Sequence, residues 1–177
     1  MASLSSEVAL DSQCLSYLID ALEGIGPLID ALADQKVALV RLYLYTPGTL
    51  WVTPTVQTEF LRIRDPARRG SHQSWTSVLF GVYPLNNPAA VQHRAASLLK
   101  FHADADDCTI LSEAEDVGFG TLLTFDDDFV KHLSSHAMLQ LTRPVQFWAA
   151  LAIPKGASPQ KVPTLGNPLA TQTWRRW

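Results

Sequence analysis

Cysteine is scarce in this chain of 177 residues: Cys14 and Cys108 are the only two, and they form neither a CxxC pair nor a metal-ligand spacing. No disulfide framework is expected, and a reducing cytoplasm is the expected compartment. Long apolar runs are also missing; the best, Val37 to Leu44, is interrupted by Arg41. Met1 to Val8 lacks a basic region followed by an apolar one, so neither a secretory signal nor a membrane span is expected. There is no excess of positive charge: 14 basic against 17 acidic residues give −3. That argues against broad electrostatic adhesion to nucleic acid, though not against a local basic patch. No Gly-rich phosphate loop precedes a helix, and no Ser–His or Cys–His device is evident.

What is present is the composition of one globular domain. Hydrophobic residues make up 47% and charged residues 18%, enough for a buried core at this length. Val8-Ala9-Leu10 reads as a buried strand, followed by a helix from Ser12 that Gly24 and Gly26 end. Pro27 fits the first turn of a second helix, with Leu28, Ile29, Leu32 and Ala33 on one face and continuation through Val37 to Tyr45. Leu50-Trp51-Val52 is a second strand, and Thr53-Pro54 caps a helix carrying Val56, Glu59, Phe60 and Ile63. Asp65-Pro66 is expected to break that helix, residues 67–70 to be a loop, and residues 71–80 to be helical.

A weak third strand is expected at Val82 to Leu85, held to an edge by Pro84. Helices follow over roughly 89–102 and 105–117, the second stopped by Gly118, then a strand over 121–124 and a short helix over 127–133. A fifth strand falls at 138–141 and a last helix begins at Pro144. Strands alternating with helices predict an α/β fold: a parallel sheet of four to five strands covered on both faces. From Pro154 onward, four of the eleven prolines fall in an irregular tail ending Trp174-Arg175-Arg176-Trp177. That tail is expected to pack back on the domain, because exposed tryptophans would be sticky.

In open α/β sheets, ligands bind beyond the carboxyl ends of the strands. Asp11 follows the first strand directly, and Asp126 lies just past the fourth. Glu59 falls among apolar positions of the helix after the second strand. Asp107 precedes Ile110, Leu111 and Ala114 by three, four and seven residues, so it shares their inward face better than Asp104 or Asp106. Each has an ordinary reading as well: a helix cap, a turn residue or a surface acid. The case for a site is their coincidence at one sheet edge, where like charges repel without a cation. An all-oxygen set suits Mg²⁺ or Mn²⁺ better than zinc.

These pieces resemble the PIN-domain family of metal-dependent ribonucleases. The matching stretches are the strand ending Asp11-Ser12, then Thr53 to Glu59, then Asp107 to Ala114 with Gly118, then Leu123 to Phe129. The resemblance implies a three-layer α/β/α sandwich over residues 1–152, with 153–177 as a Pro-rich tail. It implies an endoribonuclease whose catalytic residues are Asp11, Glu59, Asp107 and Asp126, with Asp11, Asp107, Asp126 and Asp128 as ligands to Mg²⁺ or Mn²⁺. Ser12 and Thr124 would hydrogen-bond these carboxylates or an ordered water. RNA is the implied substrate. Many relatives are toxins of type II toxin–antitoxin modules, held by a small antitoxin and often homodimeric. The alternative is a PIN-like domain that keeps the fold as an inactive binding or assembly module. Phosphatases of the haloacid dehalogenase type would need an aspartate at position 13, and integrin-like sites serines at 13 and 15; Gln13 and Leu15 stand there.

Arg62, Arg64, Arg68 and Arg69, with His72 nearby, form the densest basic run. It is equally compatible with a phosphate-binding groove beside the site and with a solvated loop. His132 and His136 have the spacing of metal ligands but no third partner, so surface or cap roles are expected. Glu113 is expected either to reach the site edge or to face solvent.

Overall fold

The computed structural model describes residues 7–24 and 30–177. Its centre is a five-stranded parallel sheet made of β1 (Val8–Leu10), β2 (Leu50–Val52), β3 (Gly81–Val82), β4 (Thr121–Leu123) and β5 (Gln140–Thr142). The order is β3-β2-β1-β4-β5, with Leu10 paired to Val52 on one side and Leu123 on the other. All three residues of β1 and of β4 are buried, so both faces of the sheet centre are covered. That is the α/β architecture expected from the alternating elements.

Helix α2 (Ala33–Tyr45) packs against both α1 (Ser12–Leu22) and α8 (Pro144–Ala150). Helices α5 (Pro88–Leu98) and α6 (Ala105–Val117) form a second packed pair. The chain moves one way across the sheet from β1 to β3 and the other way from β3 to β5. Right-handed crossovers therefore place the connecting helices on opposite faces. Short helices α3 (Pro54–Glu59) and α7 (Asp127–Leu133) lie just past β2 and β4. Gly118 ends α6 at φ +89°, a conformation a Cβ would penalise.

Several boundaries differ from the sequence expectation. Asp65-Pro66 starts a helix: α4 runs Pro66–Leu79 through the expected loop at 67–70, with the Asp65 side chain accepting from the Arg68 N–H at 2.9 Å. Proline has no N–H to lose in a first turn, so the dipeptide that stops one helix begins another. Helix α3 stops at Glu59 and passes into a 3₁₀ turn over Phe60–Arg62. Strand β3 sits one residue before the expected start, at Gly81, where a Cβ would lie 1.8 Å from the Trp51 ring. Helix α5 ends at Leu98, which leaves His102 in the α5–α6 connection. Pro27, Leu28 and Ile29 lie outside the described residues.

The tail packs back as expected. Leu169 is buried, and the Trp177 ring meets Trp148 edge-on at 5.4 Å with the Arg41 guanidinium over it at 4.8 Å. Arg41 also donates to the carbonyls of Trp174 and Arg176, and Gln160 and Lys161 N–H groups both donate to the Leu44 carbonyl. Backbone groups at the end of α2 thereby find partners in chain more than a hundred residues away.

Candidate functional site

Strands β1 and β4 are neighbours whose connections leave in opposite directions, so the crevice beyond Leu10 and Leu123 is the sheet's switch point. Asp11 stands there. Its N–H continues the ladder to the Leu123 carbonyl at 2.9 Å, and its Oδ1 accepts from the Cys14 N–H at 2.7 Å, capping α1. Asp126 caps α7 in the same way, its Oδ1 accepting from Asp128 and Phe129 N–H groups at 2.7 and 3.1 Å. Fully buried Thr124 stands between them: its hydroxyl oxygen accepts from the Asp126 N–H at 2.9 Å, and the hydroxyl favours the charged form of the Asp11 carboxyl.

Helix α6 brings the third acid. Asp104 caps it, accepting from Asp106 and Asp107 N–H groups at 2.9 and 3.2 Å. Asp107 then turns inward while Asp106 turns out, with side-chain exposures of 20% and 41%, as the helical spacing predicted. Asp107, Asp126 and Asp128 line one depression of about 470 Å³ together with His102, Asp104 and His132. Glu59, at the end of α3, lines a separate groove of about 510 Å³ with Ser12, Tyr17, Phe125, Arg62 and Arg68.

The acids feel one another across these elements. Burial pushes the Asp11 carboxyl up; the Thr124 hydroxyl and Cys14 N–H oppose that, and Asp126 adds to it. Burial lifts Asp107 to about 6 against the His102 hydrogen bond, with Asp104 and Asp11 adding repulsion. Burial, then Asp106, lifts Glu59 to about 7, with Asp107 contributing. As the side chains stand, no three carboxylate, imidazole or thiol groups among the described residues lie within reach of a single ion.

These shifts fix the sign of a pH effect. A carboxyl whose folded pKa lies above its unfolded value binds its proton more tightly in the folded state. Its contribution to stability is complete below the unfolded value and is lost as pH rises through the folded one. For Asp107 that window runs from 3.8 to about 6, and for Glu59 from 4.5 to about 7. Metal-free protein is therefore expected to melt at a lower temperature at pH 7.5 than at pH 5 (both roughly chosen to bracket the carboxyl range), read by scanning fluorimetry. Saturating Mn²⁺ should narrow the difference. A melting temperature that rises across this interval in metal-free protein would contradict the assigned shifts.

The basic run is largely engaged. Arg62 pairs with Asp106 at 2.6 Å and Glu59 at 3.5 Å, and Arg68 with Asp20 at 2.6 Å. Arg69 donates to the Ile63 carbonyl at 3.2 Å, and Arg64 is exposed. His72 is buried against the Ser16 hydroxyl at 2.9 Å, so it belongs to the α1–α4 packing. Ser12 Oγ is enclosed and meets no hydrogen-bond partner among the described residues, while the Thr124 hydroxyl accepts from the Asp126 N–H. One expectation needs correction. Glu113 neither reaches the site nor faces solvent: it is buried and accepts from the Thr55 N–H and hydroxyl at 3.0 and 2.9 Å, fastening α3 to α6.

Sequence reasoning passed over His102 and Arg143, and set Asp106 aside in favour of Asp107. Arg143 follows β5 at the same carboxyl edge, pairs with Asp127, and bears electrostatically on Cys14 beside Asp11. The strand-edge rule that selected Asp11 and Asp126 would have found it had it been applied to cations. His102 carried no such signal beyond standing five residues before Asp107.

Among the described residues, no helix is long and apolar enough to cross a membrane. No family model and no curated protein matches the chain. Among solved structures, VapBC2 from Rickettsia felis bound to a DNA fragment from its promoter is similar at 14% identity and a TM-score of 0.49, covering 77% of this chain and 98% of that one.

Proposed function

We propose that this chain is a metal-dependent endoribonuclease that hydrolyses RNA phosphodiester bonds at the β1/β4 switch point. One observation carries the reading: Asp11, Asp107 and Asp126 come from three separate elements, yet they bear electrostatically on one another at one sheet edge. The donor set fits a hard divalent cation. It is all carboxylate, and burial, with smaller repulsion from neighbouring acids, raises Asp11 and Asp107, a cost that a bound cation would relieve.

Asp11, Asp107 and Asp126 would hold Mg²⁺ or Mn²⁺, with Asp128 at the rim. Such an ion polarises a phosphoryl oxygen and makes an attacking water more acidic. The chain's own part is orientation and proton handling. Backbone N–H groups and Thr124 pin Asp11 and Asp126. Glu59, lifted to about 7, is balanced between its two protonation states near neutral pH and suited to accept or return a proton. The groove that it lines offers Tyr17 and Phe125 as apolar surface and Arg62 and Arg68 as cations for a single strand, with Arg64 and Arg69 on neighbouring chain.

A role as the toxin of a type II module, with a small antitoxin, homodimerisation and a cytoplasmic setting, follows from the sequence resemblance and belongs to this proposal. A second reading, an inactive binding or assembly module, is favoured by the spread of the acids beyond reach of one ion and by the pairing of Arg62 and Arg68 with acids. Incubating purified protein with single-stranded RNA separates the two. The nuclease predicts cleavage with Mn²⁺ or Mg²⁺ that EDTA abolishes; RNA retained but uncut with either ion would favour the binding module.

A further inference from the structure

The depression that holds Asp107 also contains an imidazole pair outside the acidic set. His102 is buried and locked on several sides. Its ring lies parallel to Phe129, at 11° and 5.7 Å between centroids. Its backbone N–H donates to the Leu98 carbonyl at 3.2 Å, and its carbonyl accepts from Cys108 Sγ at 3.5 Å. Nε2 stands 2.8 Å from Asp107 Oδ2, and Nδ1 stands 3.4 Å from Nδ1 of exposed His132.

A nitrogen facing a carboxylate carries the proton, so Nε2–H donates to Asp107. In neutral His102, Nδ1 is then an acceptor, and His132 can supply the donor from the solvent side. Turning the ring over would place carbon where each nitrogen now stands and lose both partners. The ring therefore has one preferred orientation, and it engages one oxygen, Oδ2, of Asp107, which lines the depression together with Asp126 and Asp128. Carboxylates that ligate metals are commonly held by such an outer hydrogen bond, and loss of that partner typically weakens metal binding by about 10–100-fold.

We propose that His102 is a positioning residue: supported by Phe129 and His132, it fixes the Asp107 carboxyl group and so sets the affinity of the acidic site for a divalent cation. This rests on the metal-binding reading of the site. The test is calorimetric titration of the full chain with Mn²⁺ for wild type, His102→Leu and His102→Gln. Leucine fills the space without a donor; glutamine returns an N–H near the place of Nε2. His102→Leu is expected to weaken Mn²⁺ binding by about 10–100-fold, and His102→Gln to recover most of it. Imidazole nitrogen NMR of metal-free wild type should show His102 protonated at Nε2, with that resonance shifting in Asp107→Asn.

Equal Mn²⁺ affinity in wild type and His102→Leu would overturn the inference while leaving the metal reading intact. Equal loss in both variants would also overturn it, because the ring would then matter for packing alone. A wild-type protein that takes up no Mn²⁺ would overturn the metal reading and this inference together.

Discussion

Asp107→Asn is expected to abolish Mn²⁺-dependent RNA cleavage, a loss on the order of 10²–10³-fold or more, the range for removing one electrostatic stabiliser from an active site. The substitution is close to isosteric. Asparagine still offers a side-chain oxygen to the His102 Nε2–H, so the local hydrogen bond can persist. What disappears is the charge. Burial and neighbouring acids already disfavour that charge and hold Asp107 near 6. Metal-free Asp107→Asn should accordingly melt no lower than wild type at neutral pH. The pairing of a lost activity with an undiminished melting temperature separates a ligand from a structural residue. Asp106→Asn is the natural control, since Asp106 is more exposed and bound to Arg62; it should keep most of the activity. Full cleavage by a clean preparation of Asp107→Asn would sink the assignment.

Phe129→Ala carries the largest expected cost in stability, about 3–5 kcal/mol. Phe129 is among the largest fully buried side chains of the domain. Its backbone N–H caps against Asp126, and its ring supports His102 from below. Alanine keeps the cap and leaves a hollow that the sheet, α7 and His102 can only partly close. Against a typical total of roughly 5–15 kcal/mol, the variant should remain folded but lose roughly 6–20 °C in melting temperature. Urea denaturation with an unchanged m-value would measure it. A loss under about 1 kcal/mol would mean the ring is not the support that its burial indicates.

Much of the architecture was legible because its signals are local. Val8-Ala9-Leu10, Leu50-Trp51-Val52 and Thr121 to Leu123 are short apolar runs flanked by turn or cap residues, and each is a central strand. Thr53-Pro54 and Asn87-Pro88 begin helices because cap geometry involves only neighbours. The same holds for Asp107 over Asp106: residues three and four apart share a helix face whatever that helix packs against. The misplaced loop at 67–70 shows the limit of that logic. Asp65-Pro66 is a local signal with two meanings, stop and start, and only the bond from the Arg68 N–H to Asp65 decides between them.

Chain order and apolar spacing suffice for the parallel α/β order, the placing of Asp11 and Asp126 at strand ends and the inward turn of Asp107. Periodicity and chain order are properties of the chain alone. Packing between elements supplies the rest: that Glu113 fastens α3 from 58 residues away, that Arg62 and Arg68 meet Asp106 and Asp20, and that His102 holds Asp107. Most of these partners lie tens of residues apart. A side chain's hydrogen-bond partner depends on distances of a few ångström across packed elements, and no spacing along the chain encodes such a distance.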